Sequence, residues 1–408
     1  MTRYGRSPWV DRLPKSRVPD YPKLRGPLAT DIVIVGGGLT GCATAYAFAA
    51  AGIKVVLLEA DRIGRGSSAS SLGWIADAPG PSFQGAADAV GLKASRRAWQ
   101  SWRRAAIDFG ALLRRLPVKC ELAPTSTVRV ARTPEDVLLL KRELKARRQA
   151  GVEATFVNGA AATALTGIPA AGAIRTRDGA TVDPYRAAMG LAAAAVARGA
   201  SVFERAAVRK IAFGPTAVNV ETAGGTVSAD RVVIATGRPT PLFKALVRHF
   251  RYQSTYFALT EPVPARIRRM LGDTELVSLD AAEPPHYIRW VDDERLLVAG
   301  ADSPSVADRL REKTIVQRTG QLMYELTTLY PDISGLAPAY GWDASYGRTG
   351  DGLPYIGPHR NFPRHLFAFG CGSQSVTDAY LASRVLLRHH LDDADPADSV
   401  FGFTTERL

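Results

Sequence analysis

The sequence contains few cysteines and no cysteine pair of the metal-binding kind. Its 408 residues include three cysteines, and Cys42, Cys120 and Cys371 lie far apart without forming a CxxC motif. Widely spaced single cysteines argue against a disulfide framework and against a zinc site, and they suit a reducing compartment. We therefore expect a cytoplasmic protein without a bound metal.

Long hydrophobic runs are also missing. No charged residue lies between Asp31 and Lys54, but the glycines of "GGG" divide this stretch into a strand-length piece and a helix-length piece. The first thirty residues carry prolines and scattered charge, and they contain no apolar core of a secretory signal. These features predict a protein without a transmembrane segment, in which residues 1–30 form an extended arm on the surface.

Acidic residues are outnumbered, since 39 Asp and Glu stand against 52 Lys and Arg and the formal net charge is +13. Such a charge can attract an acidic substrate, an anionic membrane face or RNA, although improved solubility is the simpler explanation. Part of the excess falls in residues 92–116, where apolar residues recur at steps of three and four with arginines between them. This pattern predicts an amphipathic helix that packs on its own protein and exposes a basic face.

The sequence does contain a dinucleotide-binding fingerprint. "TDIVIV" is the β-branched apolar run expected of a buried strand, and it leads into the GxGxxG glycines, Gly36, Gly38 and Gly41. Gly36 allows a tight turn, Gly38 lets a pyrophosphate approach the backbone, and Gly41 lets the following helix pack closely on the strand. That helix would present free N–H groups and its positive dipole end to the phosphates.

A second strand, "KVVLLEA", supports the same interpretation. Glu59 stands at its end, where a carboxylate can accept hydrogen bonds from both ribose hydroxyls. The Gly/Ser-rich loop of residues 60–75 follows, and its small donors suit the pyrophosphate and ribityl chain of a long cofactor such as FAD. An NAD-binding domain would normally continue with another crossover helix.

The middle of the chain contains clear signals for helix starts and for a turn. Thr133 and Asp183 are predicted helix N-caps, each followed by proline. Gly224 and Gly225 predict a hairpin turn between two strands, and residues 252–301 are rich in strand-like runs. Because cofactor-type segments alternate with other segments, the sequence predicts one domain assembled from several pieces of chain, with a second domain inserted between them.

These segments occur in the order and at the spacing of a known family. "DIVIVGGGLTG", "VVLLEADRIGRGSSASSLGWI", "ADRVVIATG", "GDGLPYIG" and "FAFGCGSQSV" resemble motifs of the D-amino acid oxidase/glycine oxidase superfamily of FAD-dependent oxidoreductases, and within it the γ-glutamylputrescine oxidoreductase and sarcosine oxidase-like branch. The resemblance covers residues 31–391 and implies an α/β fold with two domains. These are a glutathione-reductase-type FAD-binding Rossmann domain assembled from residues 1–90, 153–245 and 338–408, and an inserted α+β substrate domain with a mixed or antiparallel sheet, formed by residues 91–152 and 246–337.

The resemblance also implies which residues bind the cofactor. They are Gly36, Gly38, Leu39, Thr40, Gly41, Glu59, Ala60, Gly66, Ser67, Ser68, Val208, Ala235, Thr236, Gly237, Gly350, Asp351, Gly372, Ser373, Gln374, Ser375 and Val376. By this resemblance the serines contact the pyrophosphate, the backbone of Val208 contacts adenine, and Gly350 and Asp351 lie beside the flavin. Members with a covalent flavin carry a Cys or a His where this chain has Ala344 and serines, so the resemblance implies non-covalent FAD.

Four residues are candidates for catalysis: Arg289, Tyr346, Gln374 and Tyr256. Arg289 stands where the family often carries a basic residue near the flavin, and its guanidinium can bind a substrate carboxylate through two parallel hydrogen bonds. A strand salt bridge is the alternative for this arginine. Tyr252 and His286 are further substrate-facing candidates, for which, as for the other tyrosines, sheet packing is an equal alternative.

The implied reaction is a hydride transfer from the carbon beside an amine to flavin N5, after which the imine is hydrolysed. The substrate would be an amino acid or a secondary amine, and the electron acceptor oxygen or another acceptor. Two alternatives stay open: a flavoprotein subunit of a larger dehydrogenase complex, and a flavin enzyme acting on a modified tRNA base. Nucleic-acid binding is disfavoured because no RNA-binding module is recognisable, and the oligomeric state is not assigned.

The glycine turn of "FAFGCGSQSV" resembles a second nucleotide site at first. No acidic strand end follows it, however, and too little chain remains for another mononucleotide-binding half. The sequence therefore predicts one cofactor held by two helix ends. The second helix would begin near Ser375 and aim its N–H groups at the flavin C2=O, where charge accumulates on reduction.

Overall fold

The computed structural model describes residues 1–281, 284–371, 375–404 and 407. Within these residues the strands are β1 (Arg3–Tyr4), β2 (Leu28–Val35), β3 (Val55–Leu58), β4 (Trp74–Ile75), β5 (Ala123–Ala131), β6 (Thr155–Asn158), β7 (Gly172–Thr181), β8 (Ser201–Phe203), β9 (Val208–Phe213), β10 (Val218–Thr222), β11 (Thr226–Gly237), β12 (Arg251–Thr260), β13 (Leu276–Leu279), β14 (Tyr287–Val291), β15 (Arg295–Pro304), β16 (Pro338–Arg348), β17 (Tyr355–His359) and β18 (Phe362–Phe369). The α-helices are α1 (Pro8–Asp11), α2 (Leu39–Ala50), α3 (Ser67–Ser70), α4 (Phe83–Val90), α5 (Leu92–Arg115), α6 (Pro134–Gln149), α7 (Gly159–Thr166), α8 (Pro184–Val196), α9 (Ala265–Arg268), α10 (Asp308–Leu329) and α11 (Thr377–His390). Short 3-10 helices cover Lys15–Arg17, Pro241–His249, Pro331–Ile333 and Asp398–Phe401.

One sheet has a parallel core. Five strands lie parallel in the order β18-β11-β2-β3-β8, and β17 pairs antiparallel with β18. The antiparallel strands β9 and β10 extend β11, and Gly224 and Gly225 lie in the predicted hairpin turn. Helices α2, α8 and α11 pack together beside this sheet. The α/β class predicted from the sequence is confirmed.

The first strand of the fingerprint is buried on both faces, as its composition predicts. Ile32 and Ile34 pack into the core that contains α2, whereas Val33 and Val35 pack into a second core on the opposite face. Strands covered on both sides are the usual environment of parallel sheets. The strand thereby fixes the position of the glycine turn that follows it.

The second sheet is mixed and mostly antiparallel. Its order is β1-β16-β12-β15-β14-β13-β5-β7-β4, with β6 also paired to β7. The parallel pairs are β1 with β16 and β13 with β5. One face of this sheet contributes Phe257, Leu297 and Trp342 to the core shared with the dinucleotide-binding part. The other face packs against α10 through Leu322 and Leu326, so the sheet has an inner and an outer face.

The domain division implied by the resemblance differs from sheet membership in each of the three FAD-binding ranges. Residues 1–90 contain β1 and β4, residues 153–245 contain β6 and β7, and residues 338–408 contain β16, and all five strands belong to the mixed sheet. A strand's length and composition do not indicate its partner, because pairing with β5 and β12 is a long-range property.

The N-terminal arm is not confined to the surface. Trp9 is fully buried in the main core, and its indole Nε1 donates to the carbonyl oxygen of Ser71 at 3.0 Å. The Ser7 hydroxyl donates to the carbonyl oxygen of Ala69. The expectation of an extended surface arm is therefore wrong around residues 7–9, because an isolated tryptophan in a Pro-rich segment shows no periodicity that would indicate burial.

The predicted helix starts are found in the structure. Thr133 forms a capping box with Asp136 at the start of α6, and the Asp183 carboxylate accepts from two backbone N–H groups at the start of α8. Helix α5 is amphipathic as predicted. It packs on α11, where the rings of Phe109 and Tyr380 stack with centroids 5.3 Å apart. A helix assigned to the substrate domain thus contacts the dinucleotide-binding part.

The helices of the described residues differ from membrane-spanning helices. Within the described ranges, none of them combines the length and the hydrophobicity that a bilayer crossing requires. The expectation that the glycines divide the uncharged stretch of residues 32–53 is confirmed, since β2 ends at Val35 and α2 begins at Leu39.

His286 anchors the mixed sheet to α10. Its Nδ1 lies 2.6 Å from Oδ2 of Asp280, and its Nε2 lies 2.8 Å from Oε2 of Glu325 on α10. Burial disfavours the imidazolium, but the two carboxylates outweigh burial and raise the pKa of His286 to about 9. These partners place His286 at the outer face, so the structure does not bring it to a substrate-facing position.

The charged His286 predicts a loss of stability at alkaline pH. A raised folded-state pKa stabilises the fold fully below the unfolded value of about 6.5, and this contribution disappears as the pH rises through about 9. We expect up to about 3 kcal/mol of unfolding free energy to be lost between pH 6 and pH 10. Urea unfolding of the wild type and of His286→Gln at several pH values measures this loss of unfolding free energy. An equal pH dependence in both proteins would contradict the contribution of charged His286.

Candidate active site

Two cavities adjoin each other where the two sheets meet. The sheet-edge cavity, of about 220 Å³, opens at the carboxyl ends of β2, β3 and β11 and is lined there by Val35, Leu58 and Ala235. The inter-sheet cavity, of about 340 Å³, is lined by the inner face of the mixed sheet and by the turn after β18, including Arg129, Tyr287 and Ser375. Ligands of open α/β sheets bind at the carboxyl ends of strands, and this location therefore marks the candidate site.

Most of the expected cofactor-binding residues line the sheet-edge cavity. They are Gly36, Gly38, Leu39, Thr40, Glu59, Ala60, Gly66, Ser67, Ser68, Val208, Ala235, Thr236, Gly237 and Val376. Gly41, Gly350, Asp351 and Ser375 are not among its lining residues. Gly372, Ser373 and Gln374 lie outside the described residues.

The glycine turn is shaped for a close approach of phosphate to backbone. Gly36 has a φ of +108°, and a Cβ atom there would lie 2.6 Å from the carbonyl oxygen of Ala235. A Cβ at Gly41 would lie 1.8 Å from the carbonyl oxygen of Gly36, so this glycine serves the packing of α2 on the turn. Gly38 caps α2 without a side-chain hydrogen bond, and the Leu39 N–H donates to the Ser68 hydroxyl at 2.8 Å. A helix start with its positive dipole end, glycines without side chains and a nearby hydroxyl fit a pyrophosphate.

Glu59 is held at the rim of the same cavity. Its carboxylate accepts from the backbone N–H of Gly37 at 2.6 Å and from that of Asp61 at 2.8 Å. Burial raises the pKa of Glu59, and these two hydrogen bonds partly oppose the rise. The side chain lines the cavity at the end of β3, and its location fits the expected contact with the adenosine ribose.

The turn after β18 is tied to β4. The Val376 N–H donates to the carbonyl oxygen of Trp74 at 2.8 Å, and the Ser375 hydroxyl accepts from the N–H groups of Ala76 and Thr377. Helix α11 begins at Thr377, two residues later than predicted. The N–H groups of Val376 and Thr377 thus have acceptors within the protein. These acceptors are the carbonyl oxygen of Trp74 and the hydroxyl of Ser375.

Asp351 contacts the C-terminal segment. Its carboxylate binds the guanidinium of Arg407 at 2.6 and 2.9 Å, and it also accepts from the N–H of Leu353. The neighbouring Thr349 and Gly352 line the inter-sheet cavity. The expected contact of Gly350 and Asp351 with the flavin stays a prediction.

Arg129 belongs to a row of side chains that faces the inter-sheet cavity. Ile174, Arg129, Leu279 and Tyr287 are neighbours across β7, β5, β13 and β14, and all four line the cavity. The flanking Val128 and Val130 pack in the outer core, so strand alternation directs Arg129 inward. None of the described residues forms an ion pair or hydrogen bond with Arg129. Its guanidinium is available to a ligand.

The other charged residues of this cavity are paired. Arg147 donates to Glu143 at 2.6 Å within α6, and Arg348 binds Asp302. The carboxylate of Asp77 accepts from the Thr176 hydroxyl and from a backbone N–H. Arg129 is thereby left as the positive charge without a protein counterion in the described part of the cavity wall.

Three further polar atoms at the cavity have no hydrogen-bond partner among the described residues. They are the indole Nε1 atoms of Trp74 and Trp102 and the hydroxyl oxygen of Thr127. Buried polar groups normally have partners, and an indole N–H can only donate. A ligand with acceptor oxygens, such as a carboxylate, would satisfy them.

Arg289 is not brought to either cavity lining. It lies on the inner face of β14, but its guanidinium donates to the carbonyl oxygens of Gly73 and Val182 at 2.9 and 3.4 Å and stacks over Trp9. Burial lowers the pKa of Arg289 to about 10. These contacts direct the guanidinium to the backbone rather than to either cavity, and the carboxylate contact of Arg289 stays a prediction that this geometry does not support.

The tyrosine candidates are also placed differently. Tyr256 packs in the outer core beside α10, since Phe257 occupies the inward position of β12. Tyr252 stacks with Arg238 at 5.8 Å. Tyr346 is on the inner face and 3% exposed, and its hydroxyl has no hydrogen-bond partner among the described residues. Tyr346 alone of these three keeps an orientation consistent with the prediction.

Two residues at the site were not predicted. Arg129 could have been found from "STVRVA", where strand alternation places an arginine on the face opposite two valines. Asp378 lies in the first turn of α11, and it alone of the described residues lines both cavities. An acid in the first turn of a helix is a common feature, so no local pattern distinguishes Asp378 from other helix-start acids.

Comparisons with known proteins agree with this arrangement. The model of the DAO family, described as FAD dependent oxidoreductase, matches residues 31–388. γ-Glutamylputrescine oxidoreductase from Escherichia coli (strain K12) is 25% identical over 384 residues, covering 93% of this chain and 88% of that protein. Glycine oxidase from Bacillus licheniformis is 27% identical over 356 residues, covering 83% and 87% respectively. The crystal structure of glycine oxidase from Geobacillus kaustophilus has the same fold, with a TM-score of 0.73 and 22% identity over 93% of this chain and 99% of that one. The resemblance seen in the motifs is confirmed.

Proposed function

Because the chain belongs to the family of FAD-dependent oxidoreductases, we propose that it oxidises a C–N bond of an amine or amino acid and that the imine product is then hydrolysed. The observation that carries the proposal is the junction of the two cavities at Asp378. A ligand in the inter-sheet cavity thereby borders the cavity of the cofactor. The similar proteins are named for glycine and γ-glutamylputrescine, which are both amines.

FAD is the cofactor, and the sheet-edge cavity fits it. Gly36 and Gly38 would let the pyrophosphate approach the backbone, the Ser68 hydroxyl, which accepts from the Leu39 N–H, would donate to it, and Glu59 would bind the adenosine ribose. When bound, the flavin supplies the acceptor of the hydride. The protein's own tasks are to orient the substrate carbon, to keep the nitrogen uncharged and to exclude water.

We propose that Arg129 binds a carboxylate of the substrate. The support is its inward position on β5, the lack of a counterion among the described residues, and the nearby indole N–H donors of Trp74 and Trp102. Arginine matches a carboxylate with two parallel donors. Arg289, which occupies the position suggested by the family, already donates from both of its terminal nitrogens to backbone carbonyls.

The proposed reaction predicts bleaching of the enzyme's flavin by substrate. The purified protein is mixed anaerobically with a panel of amines and amino acids, and the absorbance at about 450 nm of oxidised flavin is followed. At least one amine is expected to bleach it within seconds, and ammonia or a primary amine should appear after hydrolysis. An alcohol panel serves as the control, and bleaching by alcohols but by no amine would contradict the proposal.

FAD is expected to be bound without a covalent link. Ala344 offers no nucleophile, and Cys371, which lines the sheet-edge cavity, is kept as a thiol because burial and the charge of Asp378 raise its pKa. Acid precipitation should release all of the flavin into the supernatant. Flavin that stays in the pellet would contradict this expectation, and a Cys371→Ala variant would then locate the link.

A further inference from the structure

Asp378 occupies the boundary between the cofactor and the substrate. It is 3% exposed, and among the described residues it alone lines both the sheet-edge cavity and the inter-sheet cavity. The other carboxylate of the sheet-edge cavity, Glu59, lies at the end of β3, in the ribose position. Of these two carboxylates, Asp378 is therefore the one that borders the inter-sheet cavity, where the substrate would meet the cofactor.

The backbone before Asp378 is held firmly. Val376 is bonded to the carbonyl oxygen of Trp74, and the Thr377 hydroxyl donates to the carbonyl oxygen of Ala76 at 2.8 Å. The Ser375 hydroxyl bonds to both strand and helix. Because these bonds join α11 to β4, the position of the carboxylate is set by secondary structure rather than by a loop, which is what a precise site requires.

The dipole of helix α11 acts on the carboxylate of Asp378. It lies in the first turn of α11, where the helix dipole stabilises an anion. Its charge acts on both cavities, since it raises, after the larger effect of burial, the pKa of the Tyr346 hydroxyl and of the Cys371 thiol. The titratable and charged groups around the two cavities near it are Tyr346 and Arg348 of β16, Cys371, Asp77 and Arg129.

We propose that the Asp378 carboxylate binds the nitrogen of the substrate and accepts one proton from it. This inference rests on the proposed oxidation of an amine. An ammonium nitrogen has no free electron pair, so its C–H bond cannot be broken with transfer of a hydride until a proton has left. The N–H bond breaks, its electron pair remains on nitrogen, and the proton passes to a carboxylate oxygen of Asp378. Loss of this proton leaves the nitrogen pair free to form the C=N bond, and FAD, when bound, would accept the hydride from carbon.

The geometry divides recognition between two groups. Arg129, on the mixed sheet, takes the carboxylate, and Asp378, on α11, takes the amine. A substrate held at both ends would place the carbon that bears nitrogen at the boundary with the cofactor. Amines without a carboxylate would keep the contact with Asp378 and lose the one with Arg129.

Two measurements on the FAD-loaded protein test the assignment, using Asp378→Asn. The first is the binding of tert-butylamine, which has no hydrogen on the carbon next to nitrogen and cannot be oxidised; binding is followed by the change in flavin absorbance. We expect the dissociation constant to rise at least about tenfold. The second is the pH profile of flavin reduction by the best amine. Its acid limb should move up toward the pKa of the free amine, with a rate at pH 7 about 10²-fold lower that recovers at high pH.

Asp343→Asn is the matched control. Asp343 is also a buried carboxylate, 8% exposed, but it pairs with Arg311 on the outer face of the sheet. This variant removes the same charge and should leave both measurements as in the wild type. Asp378→Glu, which keeps the carboxylate, should keep the acid limb in place. FAD content and melting temperature are recorded for each variant, and Asp378→Glu carries the test if the Asn variant does not fold.

The outcomes separate the two proposals. Equal tert-butylamine binding by wild type and Asp378→Asn, with an unmoved acid limb, overturns the role of Asp378. If the variant loses tert-butylamine binding while no amine bleaches the wild-type flavin, the proposed oxidation fails and Asp378 remains the amine-binding group. Loss of tert-butylamine binding in Asp378→Asn, together with an acid limb that moves to higher pH, supports both the role of Asp378 and the proposed oxidation.

Discussion

Replacement of Gly41 by valine is expected to weaken FAD binding strongly. A Cβ atom at this position would lie 1.8 Å from the carbonyl oxygen of Gly36, and a backbone oxygen cannot move aside as a flexible side chain can. Helix α2 would have to shift away from the turn, and its first N–H groups would leave the phosphate position. Overpacking of this kind costs about 1–3 kcal/mol or more, so the dissociation constant of FAD should rise well over tenfold.

A second helical glycine provides the control. Gly320 in α10 is exposed, and the position that a Cβ atom would take there has no other atom within 4 Å. Gly320→Val should therefore bind FAD as the wild type does. Flavin content after purification and titration of the apoprotein with FAD measure the effect. A Gly41→Val protein that retains stoichiometric FAD would show that the helix start is not what holds the pyrophosphate.

Replacement of Arg129 by methionine is expected to lower kcat/KM for a carboxylate-bearing amine by about 10²- to 10³-fold. Truncating one partner of a buried charge pair costs about 2–5 kcal/mol, because the other charge is left without a partner. The substrate carboxylate would then face unpaired indole N–H groups and the ion pairs of Arg147 and Arg348, which are already formed. Methionine keeps much of the length of the side chain and leaves the cavity filled.

The specificity of this loss is as informative as its size. The amine of the same length that carries a methyl group in place of the carboxylate should be oxidised equally by wild type and Arg129→Met. Arg177→Met, on the neighbouring strand β7, removes an equal charge from an exposed position and should have no effect. An equal loss with both substrates would mean that Arg129 supports the fold rather than the substrate.

Local features of the fold could be predicted from the sequence because their causes are local. The glycine turn, the caps at Thr133 and Asp183 and the amphipathic helix α5 depend on residues within a few positions of one another. The burial of Trp9 was missed, since its partner Ser71 lies far along the chain. The sheet to which β7 and β16 belong was missed for the same reason.

The candidate site was predicted less completely than the cofactor turn. Arg129 and Arg289 both point inward from strands, and only the carbonyl oxygens of Gly73 and Val182 decide which guanidinium is free. Those carbonyls lie more than a hundred residues from Arg289, so no local pattern reveals them. Tyr256 and Phe257 are adjacent on β12 and therefore lie on opposite faces of the sheet. Phe257 takes the inward face and Tyr256 the outward face, and a prediction of the inward residue that is wrong by one position selects Tyr256.

The strand order of the parallel sheet also sets the time at which the protein can mature on the ribosome. Strand β2 pairs with β11, and β11 pairs with β18, so the parallel sheet is completed by chain that is made about 330 residues after the glycine turn. At roughly 5–20 residues per second, the finished fingerprint waits for tens of seconds before β18 and α11 emerge. Nascent chains should accordingly acquire FAD only after these two elements have emerged.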